Sequence, residues 1–155
     1  MRLISIFIGK QYLYYAIFDK NGETISLVES SRITVPQNQS STELMNNIYT
    51  LSNNLLQNKN LNKAIVVVPS SNANITLSIM LANVMTSGIA TLVCFNNRIE
   101  VDYKSTANIK PTKLGYQRTE KNSTVLKSMD IIFPNMTYKN DDMRKTVLLG
   151  YEELL

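Results

Sequence analysis

Two adjacent carboxylates, Asp141 and Asp142, open the last amphipathic segment of the chain and are its first candidates for chemistry. Carboxylates brought together over a sheet hold divalent metal ions, which in a nuclease promote phosphodiester hydrolysis. The same pair has a structural interpretation, because acidic residues cap helix N-termini and interact favourably with the helix dipole. The choice between these interpretations decides whether the sequence predicts catalysis.

Other catalytic chemistries are excluded by composition. The chain has no histidine, which removes histidine-based metal sites, the Ser-His-Asp triad and Cys-His catalysis. Its single cysteine, Cys94, precludes an internal disulfide, so we expect a reducing intracellular compartment and no secretion. At the end of a predicted apolar strand, Cys94 is expected to be a small buried hydrophobe.

The bulk composition predicts one soluble domain over residues 1–155, with 44% hydrophobic and 18% charged residues. A formal net charge of +4 permits a polyanionic partner without requiring one. No run is expected to be long enough to span a bilayer, so we predict no membrane partner.

The segment 96–127 concentrates positive charge, with seven basic residues against three acidic ones. It has two interpretations: a solvated polar connector, or a track for nucleic-acid phosphates in which Tyr103 and Tyr116 offer ring faces to bases. The basic residues are Arg98, Lys104, Lys110, Lys113, Arg118, Lys121 and Lys127.

The first half of the chain predicts three antiparallel strands and a helix. An Asn-Gly turn at 20–23 joins the second strand to the third. Ser40 and Glu43 have the spacing of a capping box, and apolar residues recur behind them at helical spacing. The predicted strands span 2–8, 11–19 and 24–35.

Three tyrosines of the second strand alternate between its faces. Tyr12 and Tyr14 are expected on one face and Tyr15 on the other. Half-buried aromatic packing is one explanation of these residues, and a stacking platform or dimer contact is the other.

The second half predicts two further strands and three helices. The apolar run 63–69 is typical of a strand buried on both faces in parallel pairing. The predicted helix at about 74–87 has Ile75, Ile79 and Ala82 facing inward and Gly88 as its stop. The remaining predicted elements are a strand over 89–95 and helices over 123–132 and from 141.

This order of elements predicts an α/β fold of ribonuclease H-like type. Its sheet would be mixed and five-stranded, with three antiparallel strands followed by two parallel ones. Helices would cover both faces of the sheet.

The last third of the chain carries five short motifs in a fixed order. In that order and spacing they resemble RuvC-type Holliday-junction resolvases, and the last of them resembles the viral branch of that group. The motifs are Ile109-Lys110-Pro111-Thr112-Lys113-Leu114-Gly115, Glu120-Lys121, Ile132-Phe133-Pro134, Asp141-Asp142 and Leu148-Leu149-Gly150-Tyr151.

The resemblance implies two-metal catalysis, which needs about four carboxylates to hold two Mg²⁺ ions. The first acid position falls at Phe7 or a neighbour, and the second falls within 65–68, at Val67. The last two fall at Asp142 and Lys145, so that about three of the four expected acids are missing. Asp142, with Asp141 beside it, remains a weak candidate for Mg²⁺. Asp19 and Glu29 lie too far along their strands to replace the missing acids.

The resemblance also implies DNA contacts and a homodimer. Lys110, Lys113 and Lys121 fall where resolvases face DNA, and Lys104 and Arg118 complete the candidate phosphate contacts. The predicted function is catalytically inactive binding of branched or structured nucleic acid, DNA in preference to RNA, with no cofactor.

Two alternatives stay open. One is a protein-interaction or structural subunit, built on a dead nuclease scaffold and acting in replication or viral assembly. The other is an active Mg²⁺-dependent junction nuclease with relocated acids.

Overall fold

A five-stranded mixed sheet in the order β3-β2-β1-β4-β5 forms the centre of the computed structural model, which describes residues 1–69 and 76–155. β1 pairs antiparallel with β2 and parallel with β4, while β2–β3 is antiparallel and β4–β5 is parallel. The predicted fold class is therefore confirmed. The strands are β1 (Arg2–Ile8), β2 (Tyr12–Asn21), β3 (Thr24–Thr34), β4 (Lys63–Val68) and β5 (Glu100–Ser105).

Four helices cover the two faces of this sheet. α3 and α4 share a buried core with one face of the sheet, and α1 and α2 share a core with the other. Tyr14 belongs to the α4-side core and Tyr15 to the opposite core, as strand alternation predicts. The helices are α1 (Ser41–Leu56), α2 (Leu77–Asn96), α3 (Asn122–Ile132) and α4 (Asp141–Leu154).

Local sequence signals set several boundaries as expected. Gly22 takes the left-handed conformation (φ +60°) that the β2–β3 hairpin turn needs. At the start of α1, the Ser40 N–H donates to the Glu43 carboxylate (2.7 Å), and the Glu43 N–H donates to Ser40 Oγ (3.3 Å). This reciprocal pair is the predicted capping box.

The prediction of a helix stop at Gly88 and a strand over 89–95 was wrong. α2 continues through Gly88 to Asn96, and the fifth strand begins at Glu100. An apolar run of this length fits a strand or a buried helix equally well. Helical spacing buries Ala90, Val93 and Cys94, while the position of Gly88 is open.

The inward face predicted for α2 was also partly wrong. Ile79 is 52% exposed and Ala82 is half-buried, while the predicted start and Ile75 lie outside the described residues. Cys94 is fully buried as expected, although on a helix, and burial raises the pKa of its thiol to about 11.

α2 also corrects the expectation about long apolar runs. Among the described residues it is the one helix long and apolar enough to cross a membrane, judged by length and composition alone. Its other side carries exposed apolar residues at intervals from Leu77 to Phe95, because packing against α1 and the sheet covers one side. The exposed apolar residues include Leu77, Leu81, Val84, Leu92 and Phe95.

α4 lies close to the sheet at Gly150. A Cβ atom there would come within 2.7 Å of Phe18 Cε2 and 2.8 Å of Ser5 Cβ. Glycine therefore lets the helix approach β1 and β2 more closely than a residue with a side chain would allow.

Candidate functional site

One row of side chains crosses the whole sheet on the α4 face. In the sheet register, Lys104 pairs with Val67, and Val67 pairs with Phe7. Phe7 in turn pairs with Tyr14, and Tyr14 pairs with Arg32. Register partners point to the same face of a sheet, and four strand spacings put the ends of the row about 19 Å apart. This cross-strand row therefore places one cation at each end of an uncharged middle.

The middle of the cross-strand row is packed and apolar. Phe7 is 6% exposed and Val67 is 1% exposed, within the α4-side core. The Phe7 and Tyr14 rings are stacked, with centroids 6.3 Å apart. The positions where the resemblance requires the first two acids thus hold side chains that cannot bind a metal ion.

α4 begins directly above the cross-strand row. Its N-cap is Asn140 and not Asp141, whose expected capping role was wrong. Asn140 Oδ1 accepts the Met143 N–H (2.9 Å), and its Nδ2 donates to the Tyr14 hydroxyl (3.5 Å). Asparagine caps a helix as well as aspartate does, so the preceding residue takes this role.

The two acids predicted for chemistry lie in the first turn of α4. Arg144 Nη1 contacts the Asp141 carboxylate (3.1 Å), and Lys145 Nζ contacts that of Asp142 (3.3 Å). Arg144 also donates twice to Asp130 on α3, at 2.9 and 2.7 Å. The predicted favourable charge at the helix N-terminus is present, and each carboxylate is balanced by a cation one turn later.

The other acids considered for a metal site have different partners. Asp19 accepts two hydrogen bonds from Arg2 (2.8 and 2.7 Å), and this pairing lowers its pKa. Glu29 accepts hydrogen bonds from Lys59 (2.7 Å) and Tyr15 (2.6 Å), which likewise lower its pKa. Over residues 1–69 and 76–155, no three Asp, Glu or Cys side chains are grouped so as to hold a metal ion.

Three of the five predicted phosphate contacts line a single cavity of about 320 Å³. They are Lys104, Lys110 and Lys113, and Glu152 forms part of the same wall. Lys110 and Lys113 are exposed to solvent, since the chain leaves β5 there and forms a short 3₁₀ helix, Pro111–Leu114. The cavity joins the basic segment to the C-terminal half of α4.

Glu152 anchors the basic segment and was missed by sequence reasoning. It is 2% exposed, its Oε1 accepts the Lys110 N–H (2.9 Å), and its carbonyl oxygen accepts from Lys113 Nζ (2.8 Å). Burial raises the pKa of Glu152 above its ordinary value, although the Lys110 N–H and three nearby lysines act in the opposite direction. The available signal was its spacing, because Glu152 follows the buried Leu148 by one helical turn.

Glu153 links α4 to two strands through lysines. Its carboxylate contacts Lys63 Nζ (2.6 Å) and Lys104 Nζ (2.8 Å), and Lys63 also contacts Asp102 (2.7 Å). Burial alone would raise the pKa of Glu153, but the two lysines outweigh that effect and hold the pKa below its ordinary value. Lys104 therefore approaches any ligand with its charge partly balanced.

Arg118 and Lys121 lie outside the lining of the cavity and are exposed. Within the described parts of the chain, neither side chain forms an ion pair or a hydrogen bond. Both remain predicted phosphate contacts.

Solved structures that share the fold of this chain include Holliday-junction resolvases. RuvC of T. thermophilus, in complex with a Holliday junction substrate, matches with a TM-score of 0.80 and 11% identity over 98% of this chain and 92% of that one. The yeast mitochondrial resolvase Ydc2 matches with a TM-score of 0.73 and 10% identity over 98% of this chain and 77% of that one.

A viral enzyme matches over nearly its whole length. The fowlpox virus resolvase, in complex with Holliday junction DNA, has a TM-score of 0.54 and 17% identity over 99% of this chain and 97% of that one. No family model and no curated protein sequence matches the chain. On the structural likeness, the chain has the ribonuclease H-like fold of the RuvC-type Holliday-junction resolvases.

Proposed function

We propose that this protein binds branched or structured nucleic acid, DNA in preference to RNA, and leaves it uncut. The observation that carries the proposal is the apolar packing of Phe7 and Val67 at the positions where the resolvase resemblance requires acids. Two resolvases that share the fold are described in complex with junction DNA. A protein that keeps the resolvase fold but lacks the metal-binding acids is expected to bind nucleic acid without hydrolysing it.

The absence of cleavage follows from the chemistry of Mg²⁺. This ion retains most of its waters unless several carboxylates converge on it, and two such ions need about four acids. Phe7 and Val67 supply none, and the ammonium group of Lys145 lies 3.3 Å from the Asp142 carboxylate. Lys145 would repel a metal ion at that carboxylate, so Asp142 alone is a poor ligand.

Binding is supported by the exposed cations of the basic segment. Lys110, Lys113, Arg118 and Lys121 are all exposed, and no acidic side chain in the described residues forms an ion pair with them. Cations that contact phosphates release counterions, which makes affinity strongly dependent on salt. For about four such contacts, affinity should fall roughly 100-fold between about 0.05 and 0.2 M salt.

The test is a gel-shift series with four-way, linear and single-stranded DNA of matched length, plus a four-way RNA junction. Each is titrated with the protein in chelator at several salt concentrations. We expect the four-way DNA to bind most tightly. A triple variant, Lys110→Gln, Lys113→Gln and Lys121→Gln, should lose most of this affinity, while Lys20→Gln, at the hairpin end of β2 and outside the basic segment, serves as the control. A flat salt response or no binding to the junction would refute the proposal.

We further propose that the protein is a homodimer that pairs through α2. The exposed apolar residues of α2 recur every three or four positions along about 30 Å of helix, with Gly88 in the middle of the stripe. Glycine there lets a second helix approach closely, since its position is open. An exposed apolar stripe of this length is typical of a helix–helix interface.

Light scattering tests the dimer. The wild type should have twice the chain mass of 17.5 kDa, and Leu81→Glu with Val84→Glu should give the monomer. Ile131→Glu, on the exposed side of α3, is the control and should remain dimeric. A wild type that is monomeric at all concentrations would contradict the dimer.

The same stripe is also what a protein-interaction module would use. A monomeric wild type that retains a protein partner after nuclease treatment would favour that second function, as a structural or recruiting subunit. Leu81→Glu should then abolish the capture of that partner, and the four-way junction should show no salt-dependent binding.

A further inference from the structure

The Arg32 guanidinium lies between two tyrosine rings at one end of the cross-strand row. Its Cζ is 4.0 Å from the centroid of Tyr12 and 4.3 Å from that of Tyr138. We propose that this arrangement, the Arg32 clamp, is a binding site for a backbone phosphate of the nucleic acid. The inference rests on the proposed function and adds a contact outside the basic segment.

The sheet supplies one ring of the clamp, and the loop before α4 supplies the other. Tyr12 and Arg32 lie on adjacent strands, β2 and β3, one diagonal step apart. Tyr138 lies in the loop that leads to α4, and the Thr137 N–H and hydroxyl bind Ser30 on β3. The loop that carries the second ring is therefore fastened to the same strand that carries Arg32.

Tyr138 has an unusual backbone conformation. Its φ of 54° is in the left-handed region, which is uncommon for a non-glycine residue and costs free energy. The Asn140 N–H donates to the Tyr138 carbonyl oxygen (2.6 Å), so the N-cap of α4 helps to hold this conformation. Strain of this kind is common where a side chain is positioned for a ligand.

The hydrogen bonding of Arg32 differs from that of two other arginines. Arg2 donates twice to Asp19, and Arg144 donates twice to Asp130. Within residues 1–69 and 76–155, the Arg32 guanidinium has no hydrogen bond and no ion pair. Contact of the guanidinium carbon with the two ring faces leaves the N–H donors of the planar group available.

The nearby acids do not compensate this charge. Asp141 and Asp142 are each balanced by a cation on their own helix, and Glu29 is bound to Lys59 and Tyr15. A phosphate can accept two parallel hydrogen bonds from a guanidinium, which is a geometry that Arg provides and Lys does not. Because the rings already fix the guanidinium, little side-chain freedom is lost on binding.

The position of the clamp agrees with a backbone contact. Arg32 is at the opposite end of the cross-strand row from Lys104, about 19 Å away across the sheet. The Lys104 ammonium group contacts Glu153 near the far end of α4, so a nucleic acid lying across the start of α4 would meet the Arg32 guanidinium on the β3 side of the apolar Phe7 and Val67. A cation–π contact that only stabilises the β2–β3 edge would leave binding of the ligand unchanged.

The test compares junction affinity and its salt dependence in the full-length chain. Arg32→Gln should weaken binding to the four-way DNA about tenfold and reduce the magnitude of the log–log salt slope by about one. Arg32→Lys should keep the slope and lose about threefold, because it keeps the charge without the planar fork. Lys20→Gln, which removes a cation at the hairpin end of β2, should change neither quantity.

Tyr138→Leu removes only the solvent-side ring of the clamp. It tests the clamp independently if the Arg32 variants fold poorly. Tyr138→Leu should weaken binding about threefold, because the guanidinium is no longer held in place. The thermal unfolding midpoint should stay unchanged. Wild-type affinity in both Arg32→Gln and Tyr138→Leu overturns the clamp while the proposed function stands. A wild type that binds no nucleic acid overturns both, and that failure is visible without any variant.

Discussion

The two ends of α4 each carry a pair of adjacent acids, and the two pairs behave differently. Asp141 and Asp142 have side chains that are 71% and 41% exposed, with partners on their own helix. Glu152 and Glu153, about 15 Å further along, are buried or nearly so and contact β4, β5 and the basic segment. The sequence drew attention to the first pair, while the second organises the charged side of the molecule.

The difference shows that the role of an acidic pair depends on what other elements bring to it. At the N-terminus of α4, the neighbours from the sheet are Tyr14 and the apolar core, so the acids stay at the surface. At the C-terminal end, lysines from β4, β5 and the following segment converge on the glutamates. Four mutational comparisons can sharpen or break this contrast.

The largest expected effect is on Glu152. Glu152→Ala should lower the free energy of unfolding by about 2–3 kcal/mol, since it leaves the Lys110 N–H without its acceptor and opens a buried space. Asp142→Ala, the matched change at the other end, should cost about 0.5 kcal/mol or less. Urea denaturation of both variants measures the difference, and equal losses would break the comparison.

The next effect is on the lysines that each pair contacts. Lys63→Met should cost about 1–2 kcal/mol, because Lys63 joins Glu153 to Asp102 and its side chain is only 14% exposed. Lys145→Met should cost about 0.5 kcal/mol or less, as for an ordinary pair one turn apart on a helix. The same denaturation series would contradict the account if Lys145→Met were the more damaging change.

A smaller effect concerns pH. Burial raises the pKa of Glu152 in the folded state, so its contribution to stability is fully present below the ordinary value of 4.5 and is lost as pH rises through the folded pKa. Glu152→Gln should therefore gain stability relative to the wild type between pH 4 and pH 7. Unfolding curves at both pH values measure this, and a change in the opposite direction would show that the lysines outweigh burial.

The smallest effect should come from Asp141. Asp141→Asn removes a first-turn charge and one contact of Arg144, but Arg144 keeps its two hydrogen bonds to Asp130. We expect a loss of about 0.3–0.5 kcal/mol that disappears at high salt. A loss of more than about 1 kcal/mol would give this carboxylate a structural role that its exposure does not explain.

Local signals in the sequence predicted much of the fold. The capping box at Ser40 and Glu43, the turn at Gly22 and the apolar run of β4 each depend on neighbouring residues, and each is present. The helix over 89–96 was missed because an apolar run does not by itself distinguish a buried helix from a strand. Assigning residues 89–96 to a helix required knowing which of their side chains pack against α1 and the sheet.

The candidate site was less predictable, because it depends on register and tertiary contacts. Phe7 and Val67 were located through the resemblance, and the sheet register places them side by side. Arg32 and Glu152 were not singled out, since their partners come from segments far away in sequence, at Tyr138 and Lys110. Such pairs carry no signal in local composition or periodicity.

The most direct test of the central claim measures binding and cleavage in the same samples. End-labelled four-way DNA is incubated with the protein in Mg²⁺, and each sample is run on a native gel for complex and on a denaturing gel for strand length. We predict a salt-sensitive complex with every strand intact. Nicked strands that appear with Mg²⁺ and vanish in Asp142→Ala would contradict it, and would show an active nuclease with relocated acids.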